Sequence, residues 1–493
     1  MANQIPGNQT KNERLVCHYY WSLLDKLLVG SALCSFLCAL SLLVLYGQAQ
    51  LFWTSLIIEL ATFVLALILL GLRNRIFSPE QLFKRLKEAI EMNILDTGRL
   101  KNWHHWQETS HIKTIAIFYD QATVMLDSLD DFYSCLLSPE QASQAMVTKS
   151  VPLAEIGLNL GILRTPEGML VLDNGSNLLP VVDSEKFPLV SSVVADSSIH
   201  KSGILSGDSL TSINNKSLKG LSLAKIHEAA LLQKGKTATF GFSRNGRGYQ
   251  VSLSIPSERY SPIKTKTIQG FGYIRFESFW DGLKLKDIES ALHKISKDKA
   301  IIIDLRSNRG GDIKLALGAL SAFVDQGTLA FCQRRTDGTT NDLRFEVYQN
   351  HIAVEQLNKQ SAAYENLEPK QIIDRLKNKF TGKKIVVLID EYSMSGAELF
   401  AGAMKDLNRA HIIGTPSFGK GIGQDEINIP PYVRFSITSM RYTTPNGTWV
   451  GDGGLSVRNS IVPSEIVTQS IGTALGAIDD TQLSAAIRYL LGS

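Results

Sequence analysis

Lys384-Ile385-Val386-Val387-Leu388-Ile389-Asp390-Glu391-Tyr392-Ser393-Met394-Ser395-Gly396-Ala397-Glu398 is the stretch from which the fold is read. Its apolar run predicts a strand buried on both faces. A polar turn follows, and residues 396–406 carry the spacing of a helix. The same pattern stands upstream: residues 300–304 (AIIID) predict a buried strand, a glycine turn follows, and residues 313–323 predict a helix. Residues 271–276 and 410–413 predict further strands, and 285–296 and 481–491 further helices. Apolar runs alternating with helices predict an α/β fold around a largely parallel sheet covered on its faces.

Three turns follow strand ends, where α/β proteins place their sites. They are Asn308-Arg309-Gly310-Gly311 after Asp304, the 390–396 turn after Ile389, and Phe418-Gly419-Lys420-Gly421-Ile422-Gly423-Gln424. Taken singly, each has an ordinary reading. Ser393 and Ser395 suit the N-cap of a helix, Lys420 suits a solvated turn, and paired glycines after a strand are common.

Working toward the N-terminus, residues 151–256 form a β-rich module. Strand-like runs at 156–162, 169–172, 189–194, 210–213, 238–242 and 249–255 are separated by turn sequences such as Ser206-Gly207-Asp208, with one helix at 223–233. Residues 78–148 read as amphipathic helices. Ser78-Pro79-Glu80-Gln81 is a helix start, with Ser as N-cap and Pro at the first helical position. Asp96-Thr97-Gly98 is a turn, and Ser138-Pro139-Glu140 is a second helix start. Residues 257–493 hold the α/β core, and residues 333–380 read as a long polar insertion in it.

Residues 27–46 carry no formal charge, and residues 51–72 are interrupted only by Glu59. At 1.5 Å per residue each block reaches about 30 Å, the thickness of a bilayer core. Gly47-Gln48-Ala49-Gln50 joins them, so residues 27–72 predict a transmembrane helical hairpin behind an N-terminal tail, 1–26. The expected location is a cell (inner) membrane, multi-pass, with lipid as a partner. Lys11, Arg14 and Lys26 precede the hairpin and Arg73, Arg75, Lys84, Arg85 and Lys87 follow it, a distribution that favours the cytoplasm for both flanks.

Composition limits the remaining function classes. The 493 residues are 44% hydrophobic and 20% charged, which excludes a disordered chain. A net charge of +4 is too weak for nucleic acid. Cys17, Cys34 and Cys38 lie in or near the apolar front, which leaves only Cys135 and Cys332 in the rest of the chain, so neither a disulfide framework nor a metal site is expected. His104-His105 beside Trp106 reads as surface or packing. No phosphate loop and no dinucleotide fingerprint occurs, so no cofactor is implied.

Ser393-Met394-Ser395-Gly396-Ala397-Glu398, followed by Phe418-Gly419-Lys420-Gly421 and by Gln424, resembles the C-terminal processing (tail-specific) serine proteases, peptidase family S41. The resemblance implies Ser395 as nucleophile, Lys420 as general base 25 residues later and Gln424 as the group orienting it. Leu305-Arg306-Ser307-Asn308-Arg309-Gly310-Gly311 is similar to the family's glycine turn. Leu129-Asp130-Asp131-Phe132-Tyr133-Ser134 resembles its helical N-terminal segment, and Asp480-Thr481-Gln482-Leu483 its closing helix. Residues 199–208 resemble its PDZ domain. The implied fold is a crotonase/ClpP-like α/β protease core with an inserted PDZ domain. In that module Ile156, Gly157, Leu158, Asn159 and Leu160 would form the carboxylate-binding loop and edge strand, which capture proteins or peptides with apolar C-termini. The family is mostly periplasmic, luminal or extracellular, against the flanking charges. Arg309 departs from the family's frequent Pro, and Gly396-Ala397 from its usual Ala-Ser.

The chemistry agrees with these roles. A Ser hydroxyl needs a base to take its proton. A free Lys is protonated at neutral pH, so it must be desolvated to serve as that base. The amide of Gly396, with one from Gly310 or Gly311, is the expected oxyanion hole. Ser393 is the rival nucleophile. The alternative function is a catalytically inactive membrane-anchored scaffold whose PDZ module binds protein C-termini.

Overall fold

The computed structural model describes residues 78–137, 152–161, 187–257, 261–430, 433–453 and 457–492, except 132, 222–224, 227–228, 231 and 281. The expected hairpin at 27–72, the helix start at 138–140 and the expected strand at 169–172 lie outside them. Among the described residues no helix is long and apolar enough to cross a membrane. The chain divides into two units, one holding residues 96–137, 426–437 and those before 92, the other the remainder.

The first unit rests on the helices Pro79–Asn93 and Ile115–Asp127. Ser78 Oγ accepts from Gln81 N at 3.3 Å, the cap read from the sequence. Leu82, Phe83, Leu86 and Ile90 recur at helical spacing and are buried. Phe83 meets Phe118 of the other helix edge-on, with ring centroids 6.3 Å apart. A strand, Cys135–Leu137, pairs antiparallel with residues 434–436. The helical reading of 78–148 did not include it, because three residues are too few to show a period.

In the second unit the α/β core is built on a six-stranded sheet. Its order is Glu465–Ile466, His411–Gly414, Ile385–Ile389, Ile301–Asp304, Phe271–Phe276 and Ile263–Ile268. All pairs are parallel except the last. Alternate side chains feed two cores. Ile301, Ile303, Ile385, Val387 and Ile389 join one cluster, whereas Ile302, Val386 and Leu388 join Leu483, Ala486 and Leu490 of the C-terminal helix in another. Burial on both faces is why these strands read as unbroken apolar runs.

A second sheet is antiparallel: Val433–Thr443, Gly327–Thr336, Thr339–Val347, His351–Asn358 and Ala363–Asp374 lie side by side. Residues 333–380, expected as a polar insertion, are thus mostly strand. Charged pairs across the strands replace the apolar alternation that would have announced them. Arg344 Nη2 meets Glu355 Oε2 at 2.6 Å, and Gln333 Nε2 donates to Asp342 at 3.0 Å. The turn Asp337-Gly338, with φ of 49° and 78°, is a two-residue hairpin signal that the sequence did display.

The β-rich module orders Leu158–Gly161, Leu189–Val193, Ser209–Ile213, Thr237–Arg244 and Arg247–Ser254 into one sheet. Its core includes Leu158, Leu160, Val190, Ile199, Leu210, Phe240 and Phe242. Residues 225–226 and 229–230, inside the expected 223–233 helix, are helical. Ala474 from near the C-terminus completes this core. Its neighbour Leu475 accepts from Ala195 N at 3.0 Å and donates to Val193 O at 2.8 Å.

Candidate active site

Parallel register places the first two turns side by side. Asp304 stands opposite Leu388, so both strands end at the same level. Met394 N donates to Asn308 O at 2.9 Å, and Ser307 N donates to Asp390 Oδ1 at 2.8 Å. Asn308 is fully buried, and its Nδ2 donates to Phe276 O at 2.8 Å. Burial pushes the Asp390 carboxyl up to about 6, with the neighbouring Glu391 charge adding to the effect.

The two candidate serines differ. Ser393 is fully buried. Its hydroxyl has Leu305 O at 2.8 Å and Asp390 Oδ1 at 3.1 Å as acceptors and accepts from Asp390 N at 3.0 Å. Ser395 is only partly buried and is the N-cap of the helix Gly396–Asp406, with φ 56° and ψ −117°. A non-glycine residue held there stores strain on the order of 1–3 kcal/mol, a feature concentrated at functional sites.

Lys420 is 5% exposed. Its Nζ donates to Gln424 Oε1 at 3.1 Å, and Gln424 Nε2 donates to Thr438 Oγ1 at 3.4 Å. The backbone around it is locked. Gly421 N donates to Gly451 O at 2.6 Å, Gly453 N to Gly419 O at 2.9 Å, and Tyr442 Oη to Lys420 O at 2.5 Å. A Cβ on Gly419, whose φ is 99°, would fall 2.9 Å from Asn459 O. Gly451, Gly453 and Asn459 supply this brace.

One side chain joins the turns, and the sequence reading gave it no role. Glu398 is fully buried and takes four donors. Oε2 accepts from Ser395 N at 2.9 Å and Lys420 N at 2.8 Å, and Oε1 accepts from Ser417 Oγ at 2.5 Å and Gly419 N at 2.6 Å. Burial pushes its carboxyl up to about 7 against these hydrogen bonds, which pull the other way. A signal was available: Ser395-x-x-Glu398 is a capping box.

The expected oxyanion donors differ in availability. Gly396 is the first residue of its helix, so its amide has no partner within that helix. Gly310 lies against it: a Cβ on Gly310 would sit 2.7 Å from Ser395 Cβ and 2.8 Å from Gly396 N. The Gly310 amide, however, donates to Asn308 Oδ1 at 2.8 Å. Gly311, with φ 144°, is the other candidate in this turn.

Behind the turns Arg306 is fully buried. Its Nη2 meets Asp304 Oδ2 at 2.6 Å and Asp480 Oδ2 at 2.7 Å, and its Nη1 donates to Gln482 Oε1 at 3.0 Å. The Asp480-x-Gln482 spacing of the closing helix therefore serves one guanidinium. Among the described residues of the β-rich module, Leu158–Gly161 is an edge strand of its sheet, paired only with Leu189–Val193. Gly157 has φ 84°, and Asn159 Nδ2 donates to Ser192 Oγ at 3.0 Å. Ser192 Oγ in turn lies 2.9 Å from Ser307 Oγ, and Arg309 donates to Leu160 O. Among the described residues no acidic, His or Cys cluster could hold a metal ion.

Residues 270–456 match the Peptidase family S41 domain. The chain is 26% identical over 402 residues to a carboxyl-terminal-processing protease of Picosynechococcus, covering 77% of this chain and 80% of that one. It is 27% identical over 372 residues to a carboxy-terminal-processing protease of Bartonella bacilliformis, covering 74% and 72%. In fold it is similar to a photosystem II D1 C-terminal processing protease, with TM-score 0.52 and 19% identity over 79% of this chain and 93% of the other. The sequence match and the shared fold agree with the turns described above: residues 270–456 are a Peptidase family S41 domain, and the chain is a serine-type endopeptidase similar to the carboxyl-terminal processing proteases.

Proposed function

We propose that the chain is a membrane-anchored endopeptidase with a Ser395/Lys420 dyad that selects protein substrates by their apolar C-terminal regions. The observation that carries the dyad is that a partly exposed, strained Ser395 and a buried Lys420, whose Nζ is held on Gln424, have their backbone amides on one oxygen of Glu398. Neutral Lys420 Nζ takes the Ser395 hydroxyl proton as Oγ attacks the scissile carbonyl carbon. Negative charge then gathers on the carbonyl oxygen, where the Gly396 amide and a second amide of the 310–311 turn receive it, each donor worth about 3–4 kcal/mol. Collapse breaks the C–N bond and returns the proton to the leaving amine. Water, deprotonated by the same lysine, attacks the ester carbon, and the lysine returns that proton to Ser395 Oγ as the acyl C–O bond breaks.

Substrate selection is assigned to the β-rich module in the manner of a PDZ domain. Its edge strand Leu158–Gly161 and the preceding Ile156-Gly157 turn suit an added peptide strand and its carboxylate. Anchoring is assigned to the uncharged block 27–46 and the apolar block 51–72, and the membrane is a cell membrane. Full-length protein in detergent, incubated with labelled casein, tests the dyad. Ser395→Ala and Lys420→Ala should each abolish cleavage while Ser393→Ala retains it. Cleavage that persists in Ser395→Ala overturns the assignment.

A further inference from the structure

The catalytic proposal uses Ser395, Lys420, Gln424 and amides of the turns, and it leaves Glu398 unused. Yet this side chain ties the nucleophile turn to the base turn by hydrogen bonds. The two turns are 25 residues apart in sequence and belong to different elements, a helix N-terminus and the loop before the strand Ile422–Ile429. A single oxygen, Glu398 Oε2, accepts from both Ser395 N and Lys420 N. Two donors on one oxygen, at 2.9 and 2.8 Å, fix the distance between the backbones that bear the nucleophile and the base. The other oxygen takes Gly419 N and Ser417 Oγ, the two groups leading into Lys420.

We infer that Glu398 is the positioning residue of the dyad: its carboxylate clamps the Ser395 and Lys420 backbones to each other and holds Ser395 in its strained conformation. The inference rests on the dyad proposed above and deepens it. Two features of the site follow. First, Ser395 φ 56°, ψ −117° is a conformation that a free chain leaves. The Ser395 N to Glu398 bond, made inside the rigid first turn of the helix, opposes that escape. Second, the Ser395 and Lys420 amides are both committed to Glu398, as the Gly310 amide is to Asn308, which leaves the oxyanion to Gly396 and Gly311.

All four protein partners of the carboxylate are donors. Glu398→Gln keeps the shape and one accepting oxygen but turns an NH2 group toward donors, so it breaks one side of the clamp. Glu398→Ala removes both sides. A shift of about 1 Å between catalytic groups is enough for a loss on the order of 100-fold.

The test uses full-length protein in detergent with fluorescein-labelled casein, alongside Ser395→Ala and Lys420→Ala. The folded fraction of each variant is read from its urea transition by intrinsic fluorescence, and kcat is expressed per folded molecule. The expected result is a roughly 100-fold fall in kcat for Glu398→Gln with KM within about twofold, and a larger fall for Glu398→Ala. A structural role alone would lower the urea midpoint and leave kcat per folded molecule unchanged, and that result overturns the inference. So does a loss confined to KM. If Ser395→Ala or Lys420→Ala still cleaves, it is the dyad that fails, whatever Glu398→Gln does.

Discussion

Two carboxylates lie fully buried in the protease core, and they are held in opposite ways. Asp304 is gripped by charge: Arg306 pairs with it at 2.6 Å, Arg275 stands 3.2 Å away, and Tyr273 Oη donates at 2.6 Å. Burial alone would raise its pKa, but the two guanidiniums outweigh burial and hold it well below the usual carboxylate range. Glu398 is gripped by dipoles, three backbone amides and one hydroxyl, and its pKa goes up to about 7. The difference separates architecture from chemistry. An ion pair with Arg306 locks the strand ends at any working pH. An amide cradle fixes backbone geometry without placing a cation beside the nucleophile, and it leaves the proton in play.

The largest effect expected from this contrast is on Arg306. Arg306→Met leaves Asp304 and Asp480 buried without their shared cation and should cost about 3–5 kcal/mol in unfolding free energy, read by urea titration. A cost under 1 kcal/mol would show that the ionic cluster is not the stronger hold. Next is Gly310→Ala, which strikes the dipole side. A Cβ there meets Ser395 Cβ at 2.7 Å, and the backbone has φ 85°. Cleavage of casein should fall on the order of 100-fold, because the displaced group is the nucleophile turn itself. Activity within threefold of the wild type would mean that this turn does not set the nucleophile's position.

The two sides of this comparison were unequally legible in the sequence. The parallel sheet was readable because strands buried on both faces must be continuous apolar runs, as in residues 300–304 and 385–389. The antiparallel strands within 333–380 were not, because Arg344, Glu355, Gln333 and Asp342 stabilise them through polar pairs that leave no apolar period. At the site, Ser395 and Lys420 carried a family pattern, and the structure adds the contacts around each. Glu398 was quoted within that pattern yet went unread, because its role depends on a turn 22 residues away. Asn308 was hidden for the same reason: what it does to Gly310 N and Phe276 O is written in the fold, not in its neighbours.

A smaller effect separates the two serines that the sequence left as rivals. Ser393→Ala removes a buried hydroxyl whose partners, Leu305 O and Asp390, stay buried behind it. The loss should be about 1–3 kcal/mol of stability, with kcat per folded molecule retained. Measured beside Ser395→Ala, which should lose cleavage and little stability, it gives opposite signatures for two residues of one turn. Matching signatures would erase the distinction drawn from their burial.

The smallest expected effect is a slope, and it tests the carboxylate contrast directly. Glu398 has its folded pKa raised to about 7 from 4.5, so the folded chain binds its proton more tightly than the unfolded chain does. Its contribution to stability is therefore fully present below about pH 4.5 and is lost as pH rises through 7, at about 1 kcal/mol per pH unit inside that window. Asp390, raised to about 6, adds a slope of the same sign. Asp304 has the opposite sign, because its folded pKa is depressed. Its contribution is present above the ordinary carboxylate range and lost only in acid below it, outside the window. Urea midpoints of wild type and Glu398→Gln, taken between pH 5 and pH 8, should therefore diverge, with the wild type losing more stability as pH rises. Parallel profiles would mean that the four donors keep Glu398 ionised throughout, as firmly as Arg306 keeps Asp304.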